Sequence, residues 1–261
     1  MKNAPQKKRF FLFWELYLRK FWKMISLSFI YFLFCIPIVT IGHATVALVR
    51  ILRNYSIEKN AFLFSDFWDT FKENFVKGFI VGLIDIVLAV SLATSLIYYP
   101  QLGEQTTWGY ILLGITLSIT LTVVMMNFFI FLMIAVTDIK LPLIFKNAFA
   151  LTSIAIGKNF ITLLLVALTL GIMVLLCVIN ISFVLLVPIW MLSFVWFIVV
   201  FNSYPIIQKY VINPYYEERG EVNPELAYTQ PADPEEAVFV DKGGSEKPIE
   251  GSKRKGKKTI S

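Results

Sequence analysis

Charge is scarce in this chain. Lys, Arg, Asp and Glu make up 16% of its 261 residues, where a soluble domain carries about a quarter. No Lys or Arg occurs between residues 78 and 137. Histidine occurs once, as His43, and cysteine twice, as Cys35 and Cys177 inside apolar runs. That inventory leaves no basis for a metal-ligand cluster or a disulfide framework, and buried membrane cysteines act as small hydrophobes. No glycine-rich phosphate cradle and no nucleophile motif is present. We therefore expect no catalytic residue, metal or cofactor, and a non-enzymatic protein. The net charge of +6 sums over separated loops and suggests no nucleic-acid partner.

What the chain has instead is apolar length: 57% of its residues are hydrophobic and 16% aromatic. Residues 24–49 hold no acidic or basic side chain other than His43 and are broken by Pro37 and Gly42. Further runs follow at Gly78 to Pro100, interrupted by Asp85, then at Trp108 to Thr137, Phe160 to Ile179 and Phe183 to Tyr204, with Pro188 expected to kink the last. Each approaches or exceeds the ~20 residues that cross a bilayer core. The fold expected is all-α, a polytopic integral membrane helical bundle of about five hydrophobic segments. The first run is no cleavable signal peptide, because it is too long and starts after 23 residues that include seven basic ones. We divide the chain into a basic N-terminal segment (1–23), a transmembrane domain (24–212) and a Pro-, Gly- and Glu-rich tail (213–261). The tail holds too few large apolar groups to offset its ordering entropy and is read as disordered, with a polybasic end suited to anionic lipid.

Two wet segments look helical. In residues 61–77, Phe64, Phe67, Trp68, Phe71 and Phe75 share one face, and Asp66, Asp69, Lys72 and Glu73 lie mostly on the other. That is an amphipathic helix for the membrane interface, with Ser65 as candidate cap. Residues 139–159 interleave Phe and Lys similarly before another apolar run. The order of amphipathic helix then span thus occurs twice, and Asn74-Phe75 and Asn159-Phe160 align at an offset of 85 residues.

Loop charges give an orientation. Short loops rich in Lys and Arg stay in the cytoplasm. Residues 1–23, 50–77 and 138–158 and the start of the tail carry the basic residues, whereas the links 101–107 and 180–182 carry none. A simple crossing by 24–49 would put the N-terminus and every other basic loop on opposite sides. The charges agree if that run enters, turns near Pro37–Gly42 and returns as an elbow. As helix it is about 39 Å long, too short for two crossings of ~30 Å. The return arm is therefore partial or extends into residues 50–57 with Arg50 and Arg53 snorkelling. The N-terminus and tail are then cytoplasmic.

The pattern PIVTIGHATVAL, followed by DFWDTFKENF and then a span, resembles the YesL-like family of bacterial integral membrane proteins, a domain of unknown function common in Firmicutes. Pro37, Thr40, Gly42, Ala44, Thr45, Ala47 and Leu48 match the first motif, and Asp66, Phe67, Phe71, Lys72, Asn74 and Phe75 the second. His43 departs from it, since members commonly carry Pro there. The resemblance covers about residues 10–212. It implies a neighbourhood rather than a chemistry, because members sit beside carbohydrate ABC importers, sensor kinases and polysaccharide-degrading enzymes.

Polar residues inside the runs are the remaining candidates. A carboxylate at membrane depth costs at least ~2.5 kcal/mol on insertion scales, so Asp85 should face the bundle interior or a cavity. Gly78, Gly82, Asp85 and Ala89 share a face, and Gly78-x-x-x-Gly82 permits close helix approach. On the third run Gly109, Thr116, Thr120 and Asn127 fall within about 40° of one another at 100° per residue, a stripe able to meet Asp85. The bland alternatives are an interior hydrogen bond for Asp85 and back-bonding of Thr hydroxyls to their own helix. Asn180 and Asn202 are weaker buried-polar candidates.

Two functions lead, the first of them foremost, ahead of a membrane enzyme, for which no motif speaks. One is an accessory or regulatory component linked to carbohydrate uptake, partnered by an ABC sugar permease or sensor kinase as the resemblance implies. The other is a small secondary transporter using Asp85, oligomeric because its spans are few. The chain is not itself an ABC permease subunit by this reading, because 138–158 lacks the EAA-x-x-x-G signature.

Overall fold

The computed structural model describes residues 9–225. The chain divides into two units, Met1–Asn223 and Pro224–Ser261; of the second, only Pro224 and Glu225 are described, as part of a turn. The polybasic tail end and most of the expected disordered tail lie outside the described residues.

The first unit is helical, with no strand among the described residues. Ten α-helices are numbered in chain order: α1 (Arg9–Arg19), α2 (Phe21–Cys35), α3 (Ile41–Ser56), α4 (Leu63–Glu73), α5 (Phe75–Gln105), α6 (Thr107–Val136), α7 (Leu141–Ile154), α8 (Ile156–Ile179), α9 (Leu192–Ile207) and α10 (Asn213–Glu218). Four are long and apolar enough to cross a membrane: α5, α6, α8 and the continuous stretch Ile181–Glu218 that contains α9.

The first apolar run does not cross as one helix. It breaks after Cys35, where Pro37 is extended (φ −75°, ψ 111°) and a 3₁₀ turn, Ile38–Thr40, follows. Proline cannot donate to the preceding turn, so carbonyls at the end of α2 lose partners. The Thr40 hydroxyl covers one of them, Phe34 O (2.5 Å), and also reaches Pro37 O (2.6 Å), which accepts the Thr40 N–H at 2.9 Å. The chain then returns as α3, antiparallel to α2. Tyr31 Oη meets Thr45 Oγ1 at 3.0 Å near the turn. At the open end, Arg19 pairs with Glu58 at 2.8 Å and Lys20 lies 4.5 Å above the Tyr55 ring. Both ends of the hairpin are thus on one side. Arms of 15 and 16 residues are only about 24 Å long, less than the ~30 Å of a hydrocarbon core.

Helix α3 is the hub. Thirteen of its 16 residues are buried, so it is surrounded rather than amphipathically docked. Glycine lets it approach α5. A Cβ at Gly42 would strike Gly78 O and come within 2.9 Å of Gly82 Cα. A Cβ at Gly78 would meet His43 Cα at 2.9 Å, and one at Gly82 would meet Gly42 Cα at 2.9 Å. The turn of the hairpin is therefore seated on the Gly78-x-x-x-Gly82 face by backbone contact.

Helix α4 is capped differently from expectation. Its N-cap is Phe62, whose N–H donates to the Asp66 carboxylate at 3.0 Å, while Ser65 points its hydroxyl to Asp69. A side chain one turn inside the helix thus reaches the free amide before Ser65 can. Asn74 alone is non-helical between α4 and α5 (φ −104°, ψ 20°), and Ala155 does the same between α7 and α8 (φ −105°, ψ 26°). The two halves share this joint, but not in the register of the Asn-Phe match: Asn159 lies one turn inside α8, donating to Thr152 O at 3.2 Å.

Several run boundaries move. Helix α5 continues through Pro100 to Gln105, leaving only Thr106 as the link to α6. Pro188 opens a π-helical segment, Val187–Met191, rather than kinking an α-helix. The last stretch passes Pro205 and stays helical to Glu218, so helix continues past residue 212, where we placed the domain end. Pro205 removes the donor for the carbonyl of Phe201 four residues earlier. The Arg9 guanidinium supplies one, at 2.9 Å. Helix α1 itself was hidden in a segment read only for charge. Its Phe13 ring packs 5.1 Å from Phe197 and 5.3 Å from Phe201, and its Tyr17 ring 5.1 Å from Phe194.

The glycine seat makes a testable demand. Gly42→Ala or Gly82→Ala should destabilise by about 1–3 kcal/mol or more through overpacking, read as a lower midpoint in detergent thermal melts followed by circular dichroism. Gly171→Ala, where an added Cβ meets nothing within 4 Å, should not lower it. Equal melting of Gly42→Ala and wild type would rule out the seat.

Candidate functional site

Because the hairpin stops part-way, the helices around it enclose space beyond its turn. A cavity of about 430 Å³ lies there. Tyr31, Ile41 and Thr45 of the hairpin line one end of it, and residues of α5, α6, α8 and α9 complete it. The lining is mostly aliphatic and aromatic. Its one charged residue is Asp85, one turn beyond the glycine seat on α5.

Asn127 on α6 donates from Nδ2 to Asp85 Oδ1 at 2.7 Å. No donor among the described residues reaches Oδ2, and no cationic side chain pairs with this carboxyl. Thr120 lines the cavity but gives its hydroxyl to the Thr116 carbonyl at 2.9 Å. Thr116 does not line it, and donates to Leu112 O at 2.9 Å. The stripe therefore divides: Asn127 joins Asp85, Thr120 borders the same space, and Thr116 only back-bonds. Gly109, at the far end of α6, packs against Tyr99 O (2.6 Å from a notional Cβ) and Gly103. Asn180 is exposed and caps a turn, accepting from Ser182 N at 2.9 Å, which removes it from the buried-polar candidates. Asn202 is half-buried and does not line the cavity.

The motif residues have structural work. Pro37 and Thr40 make the turn, and Gly42 seats it. Phe67 and Phe71 are buried, their rings 5.1 and 5.2 Å from Phe34 on α2. Asn74 forms the α4–α5 joint, its Nδ2 donating to Thr70 O at 3.3 Å. His43 is fully buried with its ring 4.1 Å from that of Phe75 and 5.3 Å from that of Phe71, packed as an aromatic rather than open to solvent. None of these residues lines the cavity.

Sequence reasoning missed two features. Tyr31 and Thr45 border the cavity and lock the hairpin arms together; Thr45 stood in the motif, but no local pattern marked Tyr31. Arg53 is 7% exposed, its Nη2 donating to Tyr204 Oη at 2.8 Å and its Nη1 to Asn54 Oδ1 at 3.0 Å, so it does not snorkel. Arg50 pairs with Glu73 at 3.1 Å at the exposed side.

Among known proteins, residues 24–96 match a family described as protein of unknown function, DUF624. That stretch contains most of α2, the turn, α3, α4 and most of α5, so the similarity follows the hairpin, its seat and Asp85. No curated protein and no solved structure matches the chain.

The Asp85–Asn127 bond can be weighed by a double-mutant cycle with Asp85→Ala and Asn127→Ala. Hydrogen bonds between membrane helices couple by about 0.6–1.7 kcal/mol, and a coupling in that range is expected from unfolding in mixed micelles. Additive effects would show that the two side chains do not meet.

Proposed function

We propose that this non-enzymatic membrane protein binds a ligand inside the bilayer, in the cavity beyond the hairpin turn, and moves it as a small transporter that uses Asp85. The observation that carries the reading is the 430 Å³ cavity with a carboxyl at membrane depth held from one side by Asn127. Intramembrane carboxyls are costly and mark solute or ion pathways, and mostly apolar pockets with a few placed polar groups are the usual form of a ligand site. Helices α5 and α8 leave most of their surface uncovered, which suits lipid contact or a homo-oligomer.

The family resemblance supports a bacterial plasma membrane, and the positive-inside pattern supports a cytoplasmic N-terminus, hairpin ends and tail. The second reading is an accessory component of carbohydrate uptake, docked on an ABC sugar permease or sensor kinase. It is favoured by exposed aromatics on and beside α4, with Phe62 80% and Phe64 63% exposed. A sugar is a poor occupant of the cavity itself, since its hydroxyls would find too few partners there. Phe67 and Phe71, on the face expected at the membrane interface, are buried, so the exposed Phe62 and Phe64 carry the docking test.

Reconstituted protein on a solid-supported membrane should give a current on a jump in at least one solute of a panel of sugars, amino acids and organic cations. Asp85→Asn and Ala89→Trp should abolish the current, and Thr116→Val should keep it. Silence across the panel, with a permease or kinase recovered in gentle detergent and lost on Phe62→Ser/Phe64→Ser, would replace transport by the accessory reading. For orientation, Asn60→Cys in intact cells should resist an impermeant maleimide; rapid external labelling would reverse the sidedness.

A further inference from the structure

The chemistry of the cavity narrows what it can hold, given the ligand-site reading above. Its walls are made by side chains such as Leu92, Val123, Phe128 and Trp196. Leu88 and Ile119 line it while remaining 36% and 56% exposed, so it opens at the side of the bundle, among apolar residues. On the other side the opening is blocked, because the hairpin turn is seated on α5 by backbone contact at Gly42, Gly78 and Gly82. This side opening among apolar residues admits a ligand from lipid, and the walls favour one that is largely apolar. One polar demand remains inside. Asp85 Oδ2 has no donor among the described residues, and no Lys or Arg shares the cavity. A positive group brought to this carboxyl favours its ionised form and pairs with it, whereas an anion finds no such partner there. The polar atoms of Tyr31 and Thr45 already satisfy each other, so they set no further requirement.

We infer that the cavity takes a lipophilic organic cation, drawn laterally from the bilayer, with its positive charge set against Asp85 Oδ2 and its apolar body against the walls of α5, α6 and α9. Charge and apolar area act together in this site. A neutral hydrocarbon lacks the attraction to Asp85, and a small hydrated cation loses its water without filling the space. Asn127 is a positioning residue that fixes the carboxyl by its Oδ1 and leaves Oδ2 towards the ligand.

The test is equilibrium dialysis of tritiated tetraphenylphosphonium and of its near-isosteric anion tetraphenylborate against the full chain in nanodiscs, corrected by empty nanodiscs. Saturable binding of the phosphonium, with the borate at least tenfold weaker, is expected, and this comparison needs no variant. Asp85→Asn should weaken phosphonium binding at least tenfold, Ala89→Trp should weaken it by filling the space, and Thr116→Val should leave it unchanged. Circular dichroism and size-exclusion profiles confirm that each variant is folded. Equal binding of both ions, no saturable phosphonium binding, or affinity indifferent to Asp85→Asn overturns the inference. Should solute-jump currents persist and vanish in Ala89→Trp while neither ion binds, the cation class falls and the transport reading stands. Loss of both results removes the two together.

Discussion

Three glycines on two helices bring backbone against backbone where the returning hairpin meets α5, and the remaining architecture is arranged around that contact. Without a water-driven hydrophobic force between helices in lipid, close packing of small residues is a principal source of association. Here it fixes how deep the hairpin reaches. The arms are too short to cross, so the turn needs a surface on which to stop, and Gly78 and Gly82 provide one. Beyond that point residues of α5, α6, α8 and α9 continue and line the pocket that holds Asp85. The cavity follows from the mismatch between a short hairpin and full-length neighbours.

Charge is managed by depth. At the open end of the hairpin Arg19 meets Glu58 and Arg50 meets Glu73, exposed pairs that each contribute little to stability. Arg53, further in, is held by Tyr204 and Asn54 and by stacking on the Tyr204 ring, whose centroid is 4.9 Å away. Asp85 differs from all of them. It lies on a stretch without Lys or Arg and has one amide as its partner. This asymmetry leaves the cavity one polar anchor.

The broken first run, the amphipathic α4, and the pairing of Asp85 with the polar face of α6 could be read from spacing and loop charge, whereas α7, expected to be amphipathic, is an apolar helix with Leu143, Phe149 and Ile154 exposed. Those signals are local or additive along the chain. Pro37 and Gly42 disfavour a continuous helix, and a 100° periodicity places Asn127 on a definite face whatever the partner. What escaped the sequence depends on distance. Helix α1 looked like a basic segment because its meaning lies in rings it meets on α9. The persistence of helix through Pro205 depends on Arg9, 196 residues earlier, supplying a donor to Phe201 O. Thr116 and Asn127 fall on one face, yet only the side chain level with Asp85 can bond it, and level is set by how α5 and α6 are offset. Phe67 and Phe71 read as a membrane-facing stripe, but Phe34 on the hairpin covers them.

The account rests on the first apolar run returning to the side from which it starts. Cysteines at Arg19 and Glu58, the two residues that pair at 2.8 Å across the open end, test this directly. In membranes, a short bismaleimide should join Arg19→Cys to Glu58→Cys within one chain, detected by mass spectrometry as a cross-linked peptide pair after denaturation and digestion of the monomer band. A run that crosses once would hold these positions at opposite faces, ~30 Å apart, and no intramolecular product would form.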